Sequence, residues 1–276
     1  MASLALTSAN TVEMPAHRPS VWWWLLGLLM LAASLVVQLP AAWLVKKFAP
    51  NNPYLQHVAG NLWHGQANWQ LSVRPNQPLV GTVDWQWQPW RLLTGNMGFA
   101  IKIDSRQTQL TGTIALNRTT WQVADVSGKI TAETLRQLVD WQLPDTPLVV
   151  NHVHVKKTKQ GYPKADGTLT WAGGEVGYPN AGRVYQLNLP TILGTLTSET
   201  ARTAGGAANS GTNGAVLHLA LTNEQGQRLG DLRLDNDAML DVALTQRLLK
   251  TMPKYHGKGV DDSVIVTTRQ PIGALR

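Results

Sequence analysis

The sequence predicts a mainly β protein with a minor α component: one N-terminal transmembrane helix, then a β-rich body of two related halves, each an antiparallel sheet with one short helix. Three observations carry this. Residues 21–45, VWWWLLGLLMLAASLVVQLPAAWLV, contain no charged residue. From His57 onward, short runs alternate apolar and polar residues between Gly, Pro and Asn, the pattern of half-buried strands. Twice, at 110–144 and at 215–253, strands are followed by a helix-spaced segment and a proline.

In chain order, residues 1–20 form a short polar tail with Pro15 and Pro19, expected to be unstructured and cytoplasmic. Residues 21–45 follow as the transmembrane helix, reaching roughly 37 Å at 1.5 Å per residue, enough for a hydrocarbon layer of about 30 Å. Trp22, Trp23 and Trp24 stand at one end and Trp43 at the other, where indole rings prefer the interface. A cleaved signal peptide would have a shorter apolar core and a small-residue cleavage site, whereas this run ends in Lys46 and Lys47. Flanking charge, Arg18 against Lys46 and Lys47, differs by one and favours the opposite orientation to an exported body. The N-terminus is nevertheless placed in the cytoplasm, because the chain beyond suits an exported domain.

Residues 46–56 read as a juxtamembrane linker, in which Pro50 and Pro53 prevent a long helix from continuing. The first half, 57–147, begins with the alternating runs Ala67, Trp69, Leu71, Val73 and Val83, Trp85, Trp87, which put the indoles on one sheet face. Phe99, Ile101, Ile103, then Leu110, Gly112, Ile114, Leu116, then Trp121 to Ile130 extend the series. Leu135, Leu138, Val139 and Gln142 fall at helical spacing, with Glu133 in the first turn and Pro144 as terminator. The second half, 148–272, repeats the order: Gly167 to Trp171 echo Gly60 to Trp63, and Leu217 to Leu221 pair with Leu229 to Leu234 through a turn at Asn223 to Gly226. Leu240, Ala243, Leu244 and Leu248 predict its helix, closed by Pro253. Residues 199–214, rich in Gly, Ala and Ser, are expected to be a mobile loop, and 260–268 a last strand.

The formal charge of +7 lies wholly beyond residue 45, and setting aside Lys46 and Lys47 leaves +5 on the body. That mild excess, without Lys/Arg stripes interleaved with stacking aromatics, excludes a nucleic-acid footprint. Lys156, Lys157 and Lys159 form the densest basic patch, a solvated hairpin end able to touch anionic headgroups or an acidic partner. Absence of cysteine removes disulfides and thiol chemistry, and no phosphate loop, hydrolase or dinucleotide motif occurs. His152 and His154 alternate in VVNHVHV without further ligands at motif spacing, and Asp261 and Asp262, read as strand neighbours, point apart. No catalytic, metal-binding or cofactor-binding residue is assigned, and no small-molecule substrate is expected. Trp63, Trp69, Trp85, Trp87, Trp90, Trp121, Trp141 and Trp171 are read as core, with a lipid- or glycan-binding groove as the sharper alternative.

Gly60-Asn61-Leu62-Trp63-His64-Gly65-Gln66-Ala67 and Val83-Asp84-Trp85-Gln86-Trp87-Gln88-Pro89-Trp90-Arg91-Leu92-Leu93-Thr94-Gly95 resemble the G-x-L-W-x-G-x-A and W-x-W-x-P-x-x-L-L-x-G elements of the type II secretion system protein N family. Ala165 to Trp171 and Thr268 to Pro271 are similar to it as well, so that the resemblance covers about 50–272 and departs at 172–215. The resemblance implies a non-catalytic protein of the cell inner membrane, single-pass, with its N-terminus cytoplasmic and its body periplasmic. It implies contacts with other inner-membrane platform proteins of the machine, and with its outer-membrane secretin, for export of folded proteins. A periplasmic lipid-handling protein with a Trp-lined sheet is the alternative reading, and a glycan-binding or hydrolytic enzyme the third.

Overall fold

The computed structural model describes residues 21–48, 52–74, 77–106, 108–138, 141–180, 183–200, 214–252 and 255–271. These fall into two units, divided between Leu39 and Pro40. The first contains helix α1, Val21–Val37. Its last turn is closed by the Gln38 N–H, shared between the Ser34 and Leu35 carbonyls at 3.2 Å each, and the Gln38 side chain donates to Ser34 Oγ at 3.3 Å. Pro40 cannot donate to the ladder and its ring clashes with a preceding helical carbonyl. Instead of one helix over 21–45, a second, α2 at Ala41–Phe48, therefore starts after the break. Among the described residues, no helix is long and apolar enough to cross a membrane. The tail at 1–20 lies outside the described residues.

The second unit is built on strands β1 (Leu55–Gly60), β2 (His64–Arg74), β3 (Gln77–Gln88), β4 (Met97–Ser105), β5 (Thr108–Leu116), β6 (Trp121–Ile130), β7 (Leu148–Thr158) and β8 (Gly161–Trp171). They are followed by β9 (Gly174–Asn180), β10 (Arg183–Leu189), β11 (Ile192–Thr200), β12 (Ala215–Thr222), β13 (Arg228–Leu234), β14 (Met239–Thr245) and β15 (Val264–Pro271). Helix α3, Ala132–Leu138, follows β6, and α4, Gln246–Leu249, follows β14. Thirteen strands form one sheet in chain order, each main ladder antiparallel, and β9 with β10 leaves it as a separate two-stranded ribbon. The body thus has two sheets, but they are not divided between the predicted halves: β6 bonds β7 from Trp121↔Lys157 to Ile130↔Leu148, across the boundary between them.

Three expected elements differ. Met239 to Thr245 is strand β14, because Leu240, Val242 and Leu244 also satisfy a period of two and lie opposite Leu234, Leu232 and Gly230. Neighbouring strands decide between the two spacings, and only Gln246–Leu249 remains helical. Glu199 and Thr200 belong to β11 rather than to the loop, whose residues 201–213 lie outside the described ones. The final strand is shifted to Val264–Pro271, leaving Asp261 and Asp262 in a turn. The Asn223 turn forms as expected, its side-chain oxygen accepting from the Gln225 and Gln227 amides at 3.1 and 2.8 Å.

Register gives the sheet its organisation. Ala67, Val83, Ile103, Leu110, Gly128, Val150, Leu169, Gly194, Leu221, Gly230, Leu244 and Val266 stand opposite one another in succession from β2 to β15. Opposed residues share a face, so an unbroken apolar and glycine row crosses twelve strands. The other face carries Asn68, Thr82, Asp104, Gln109 and Lys129 in the corresponding series. α3 touches β2 and β3, while its Leu135 lines a cavity with residues of β8, β11, β12 and β13. Strands β3 and β12 are seven ladders apart, about 34 Å on a flat sheet, whereas a seven-residue helix is about 10 Å long. The sheet therefore curves around α3 with its apolar face inward.

Most indoles are not fully covered. Trp90 is 64% exposed, Trp121 and Trp141 about 40%, and the largest fully buried side chains are Leu229, Gln246, Val176 and Thr245. The expected tryptophan core is corrected accordingly: a single sheet has only its own curvature and short covering segments to shield one face. The best-packed indoles belong to the motif strands. Trp63 and Trp87 meet at 4.2 Å between ring centroids, and Trp85 Nε1 donates to the Asn61 carbonyl at 3.3 Å. Gly60 opens the turn with φ +88°, and Gly65, opposite it, lies under Trp85. A Cβ at Gly65 would come within 2.4 Å of Trp85 Cζ2 and 2.6 Å of the Ala59 carbonyl oxygen. Gly65→Ala should accordingly destabilise the protein by about 1–3 kcal/mol through overpacking, read as a lowered unfolding midpoint of the full chain. An unchanged midpoint would show that the indole is not held against this strand.

Candidate functional site

The inward face and its α3 end offer the most built concavity. A cavity of about 310 Å³ is lined by Leu135, Leu169, Trp171, Leu219, Leu221 and Leu232, among others, with no ionisable residue. Polar ties hold the elements around it. Thr108, Thr131 and Thr134 hydroxyls bond one another at 2.8 to 3.1 Å, fixing the start of α3 to β5. Arg136 Nε donates to the Leu143 carbonyl at 2.9 Å, and Trp171 Nε1 to that of Thr146 at 3.3 Å. Gln142 and Gly177 exchange backbone hydrogen bonds at 2.9 and 2.8 Å, attaching the β9–β10 ribbon to the segment after α3. Such a cavity can shelter hydrocarbon but has no group to perform chemistry on it.

A wider cleft of about 880 Å³ lies at the motif strands, lined by Gln66, Asp84, Trp85, Gln86, Lys102 and Thr111 among others. Lys102 reaches Asp104 at 2.9 Å, and that hydrogen bond and charge raise its pKa above the ordinary lysine value. An ammonium held more firmly protonated is a poor base or nucleophile.

His152 and His154 are each tied to a neighbour. His152 is an inserted residue with φ +46°, where the ladder to β8 shifts register, and its Nδ1 lies 2.6 Å from Asp125 Oδ1. His154 Nδ1 is 2.8 Å from the His152 carbonyl oxygen and 3.1 Å from Asp166 Oδ2. Among the described residues, no group of three or more potential ligands converges on a metal position. Asp261 and Asp262 are both engaged by Arg247, at 3.5 and 3.1 Å, and Asp261 also pairs with Lys250, whose hydrogen bond lowers the Asp261 pKa. They fasten α4 to the turn before β15.

A cluster that sequence reasoning missed lies on the outward face of β11, β12 and β13. His218 is buried, with Nδ1 2.7 Å from Glu199 Oε1 and Nε2 2.8 Å from Asp231 Oδ1. Arg228 Nε donates to Asp231 Oδ2 at 2.6 Å. Both ring nitrogens are engaged on opposite sides, so neither is free to ligate a metal or take a substrate proton. The cluster is a structural tie across three strands. Its only sequence signal was His218 alternating with Leu217 and Leu219, and the assignment of Glu199 to a loop concealed its partner. Asp231→Ala, which leaves His218 and Arg228 facing a buried gap, should cost on the order of 3 kcal/mol. Asp125→Ala, at an exposed pair, should cost under about 1 kcal/mol. Unfolding midpoints of the two variants measure the contrast, and equal shifts would contradict it.

Residues 51–250, from just before β1 to the end of α4, match the family described as type II secretion system (T2SS), protein N. No curated protein and no solved structure matches the chain. With the greater part of its length so matched, and with both G-x-L-W-x-G and W-x-W elements placed in adjacent paired strands, the chain belongs to the type II secretion system protein N family, whose members are non-catalytic structural components of that machinery.

Proposed function

We propose that the chain is an inner-membrane-anchored, periplasmic part of the type II secretion machine for folded proteins, working through protein–protein contacts with platform proteins and with the secretin. The family link to the inner-membrane platform supports the general setting. Support for the anchor comes from the uncharged run at 21–45 and its tryptophan ends. α1 supplies 17 residues, the short limit of the roughly 17–25 that span a bilayer, and residues 38–45 after it carry the uncharged run further. The N-terminus is cytoplasmic and the body periplasmic on this reading.

The observation that carries the contact role is the asymmetry of the two sheet edges. At one edge, β1 is short, shifts register between Gln56 and Ala59, and has α2 packed against it. These features guard an edge against foreign strands. At the other, β15 pairs only with β14 and is exposed at seven of its eight residues, with Ile265 47% exposed. An edge of that kind accepts a strand from a partner.

The all-apolar cavity beside α3 favours a second reading, in which the curved sheet handles lipid. Lipid recovered with the purified full chain, identified by mass spectrometry, would support it. Deletion of the gene separates the two. Viable cells that accumulate folded exoproteins in the periplasm are expected, and residues 46–276 without the anchor should not restore export, because tethering supplies the local concentration. Normal secretion with altered outer-membrane lipid would favour lipid handling instead. A periplasm-dependent reporter fused after Arg276 should be active; activity of a cytoplasmic reporter there would reverse the topology.

A further inference from the structure

In an antiparallel meander, alternate turns emerge at the same end of the sheet. The turns β1–β2, β3–β4, β5–β6 and β7–β8 share one end, as the register pairs His64↔Gln86, Met97↔Leu116, Leu116↔Trp121 and Trp121↔Lys157 require. That end is apolar at its tip. The β3–β4 connection is a 3-10 turn, Pro89–Thr94, with no buried residue, in which Leu93 is 91% exposed and Trp90 and Leu92 point outward as well. Met97, Leu116 and Trp121 continue the exposed apolar surface. The turn is ordered, closed by Gly95 at φ +72° with the Gly95 amide donating to the Leu92 carbonyl at 2.9 Å, so the two leucines are held outward by its geometry.

Over the first four of these turns the charge has one sign, while the adjoining β13–β14 turn, whose Asn236 donates to the Lys159 carbonyl at 3.1 Å, adds Asp235 and Asp237. The segments 61–63, 89–97, 116–121 and 156–164 carry Arg91, Arg118, Lys156, Lys157, Lys159 and Lys164 and no Asp or Glu. Lys157 Nζ stands 5.1 Å above the Tyr162 ring. Exposed Trp and Leu within a basic surround match the interfacial zone of an anionic bilayer, where indoles settle at headgroup depth and ammonium groups meet lipid phosphates.

Chain connection brings the same end close to the membrane. Pro40, three residues beyond the end of α1, forms a bridge with Asn61, in the first of these turns. Three residues reach at most about 11 Å, so a membrane-held α1 keeps Asn61 near the surface. Trp63 accepts through its carbonyl from the Trp87 amide at 2.5 Å, and the Trp90 turn begins two residues further on. Between them, α2 offers Trp43, half exposed, with Lys47 Nζ 5.8 Å over its ring and Lys46 alongside, a short helix of interfacial character.

We propose that this end of the sheet docks on the anionic surface of the bilayer that holds α1, with Trp90, Leu92 and Leu93 in the headgroup layer. The proposal rests on the anchor reading and fixes which end of the body meets the membrane. α1 and the rim then form two attachments, and the opposite end, with α3 and the Asn223 turn, is turned toward the periplasm.

The absence of cysteine makes a direct test simple. Single variants Leu93→Cys, Gln225→Cys and Leu29→Cys of the full chain, each carrying a nitroxide, are reconstituted in vesicles of phosphatidylethanolamine and phosphatidylglycerol. Collision with oxygen and with a water-soluble nickel chelate then reports depth. Expected is a several-fold rise in the oxygen-to-nickel ratio at Leu93 over Gln225, diminished when phosphatidylcholine replaces phosphatidylglycerol. Equal ratios at Leu93 and Gln225 would overturn the docking, as would protection of Leu93 that appears only with added platform proteins or only with spin–spin broadening from a second copy. Leu29 decides the anchor separately: lipid exposure there with a water-exposed Leu93 removes the docking and leaves the anchor, and water exposure at Leu29 removes the anchor.

Discussion

One constraint governs this structure: twelve consecutive strands of the sheet present apolar residues on the same face, and the described residues provide little to cover them. Each inward residue occupies about 33 Å² of sheet, from a two-residue repeat of about 6.8 Å and a strand spacing of about 4.8 Å. Four such residues per strand make a face of roughly 1,600 Å², while a seven-residue helix shields about 100 Å². Layered domains solve this with a second sheet or a row of helices. Here the face turns toward itself: curvature brings β2 and β3 to the helix that also meets β8 and β11 to β13. Glycine takes part, since Gly194 and Gly230 occupy the apolar row and leave room for Leu169, Leu219 and Leu244.

The same constraint explains how far the sequence could be read. Strand alternation is local, so β2 to β6 were legible from Ala67, Trp69, Val83, Trp85 and their successors, and the Asn223 turn from four residues. Whether β6 bonds β7 is not local. Trp121↔Lys157 spans 36 positions, and neither partner carries a sign of it. At that ladder the division of the sheets departs from the expected halves. Met239 to Thr245 failed for a related reason: Leu240 and Leu244 fit both periods, and the competing term, Leu232 and Leu234 on the neighbouring strand, lies outside any helical window. The Glu199–His218–Asp231 tie shows the same limit for polar contacts, since its members lie on three strands. The motif elements, by contrast, acquire a physical basis, because Gly65 is the space under Trp85 and Gly60 supplies the left-handed turn that pairs with it.

Polar ties are concentrated where the apolar argument is weakest. α4, with four residues, buries little beyond Leu249, and it is held by Gln246 Nε2 on the Gly259 carbonyl at 2.9 Å and by the Arg247 and Lys250 pairs to Asp261 and Asp262. Arg269 of the edge strand reaches Asp235 at 2.8 Å, where burial nonetheless raises the aspartate pKa. These contacts fix β15 in place without covering it. A strand so positioned keeps its outer hydrogen-bonding groups ordered, which lowers the entropy lost when a partner strand joins it.

Order along the chain then becomes order in space. Because the meander rarely departs from sequence order, strand number measures distance across the sheet: β1, next to Pro40 and guarded by α2, is separated by twelve ladders from β15. At about 4.8 Å per ladder, the contour between the guarded edge and the open one is close to 58 Å, shortened in space by the curvature. The body thus offers the unpaired edge of strand β15 far along the sheet from Pro40, where the chain enters it. For the contact role proposed above, that separation matters more than any single side chain: the guarded edge lies beside Pro40 and α2, and the uncovered edge lies at the other end of the same continuous ladder.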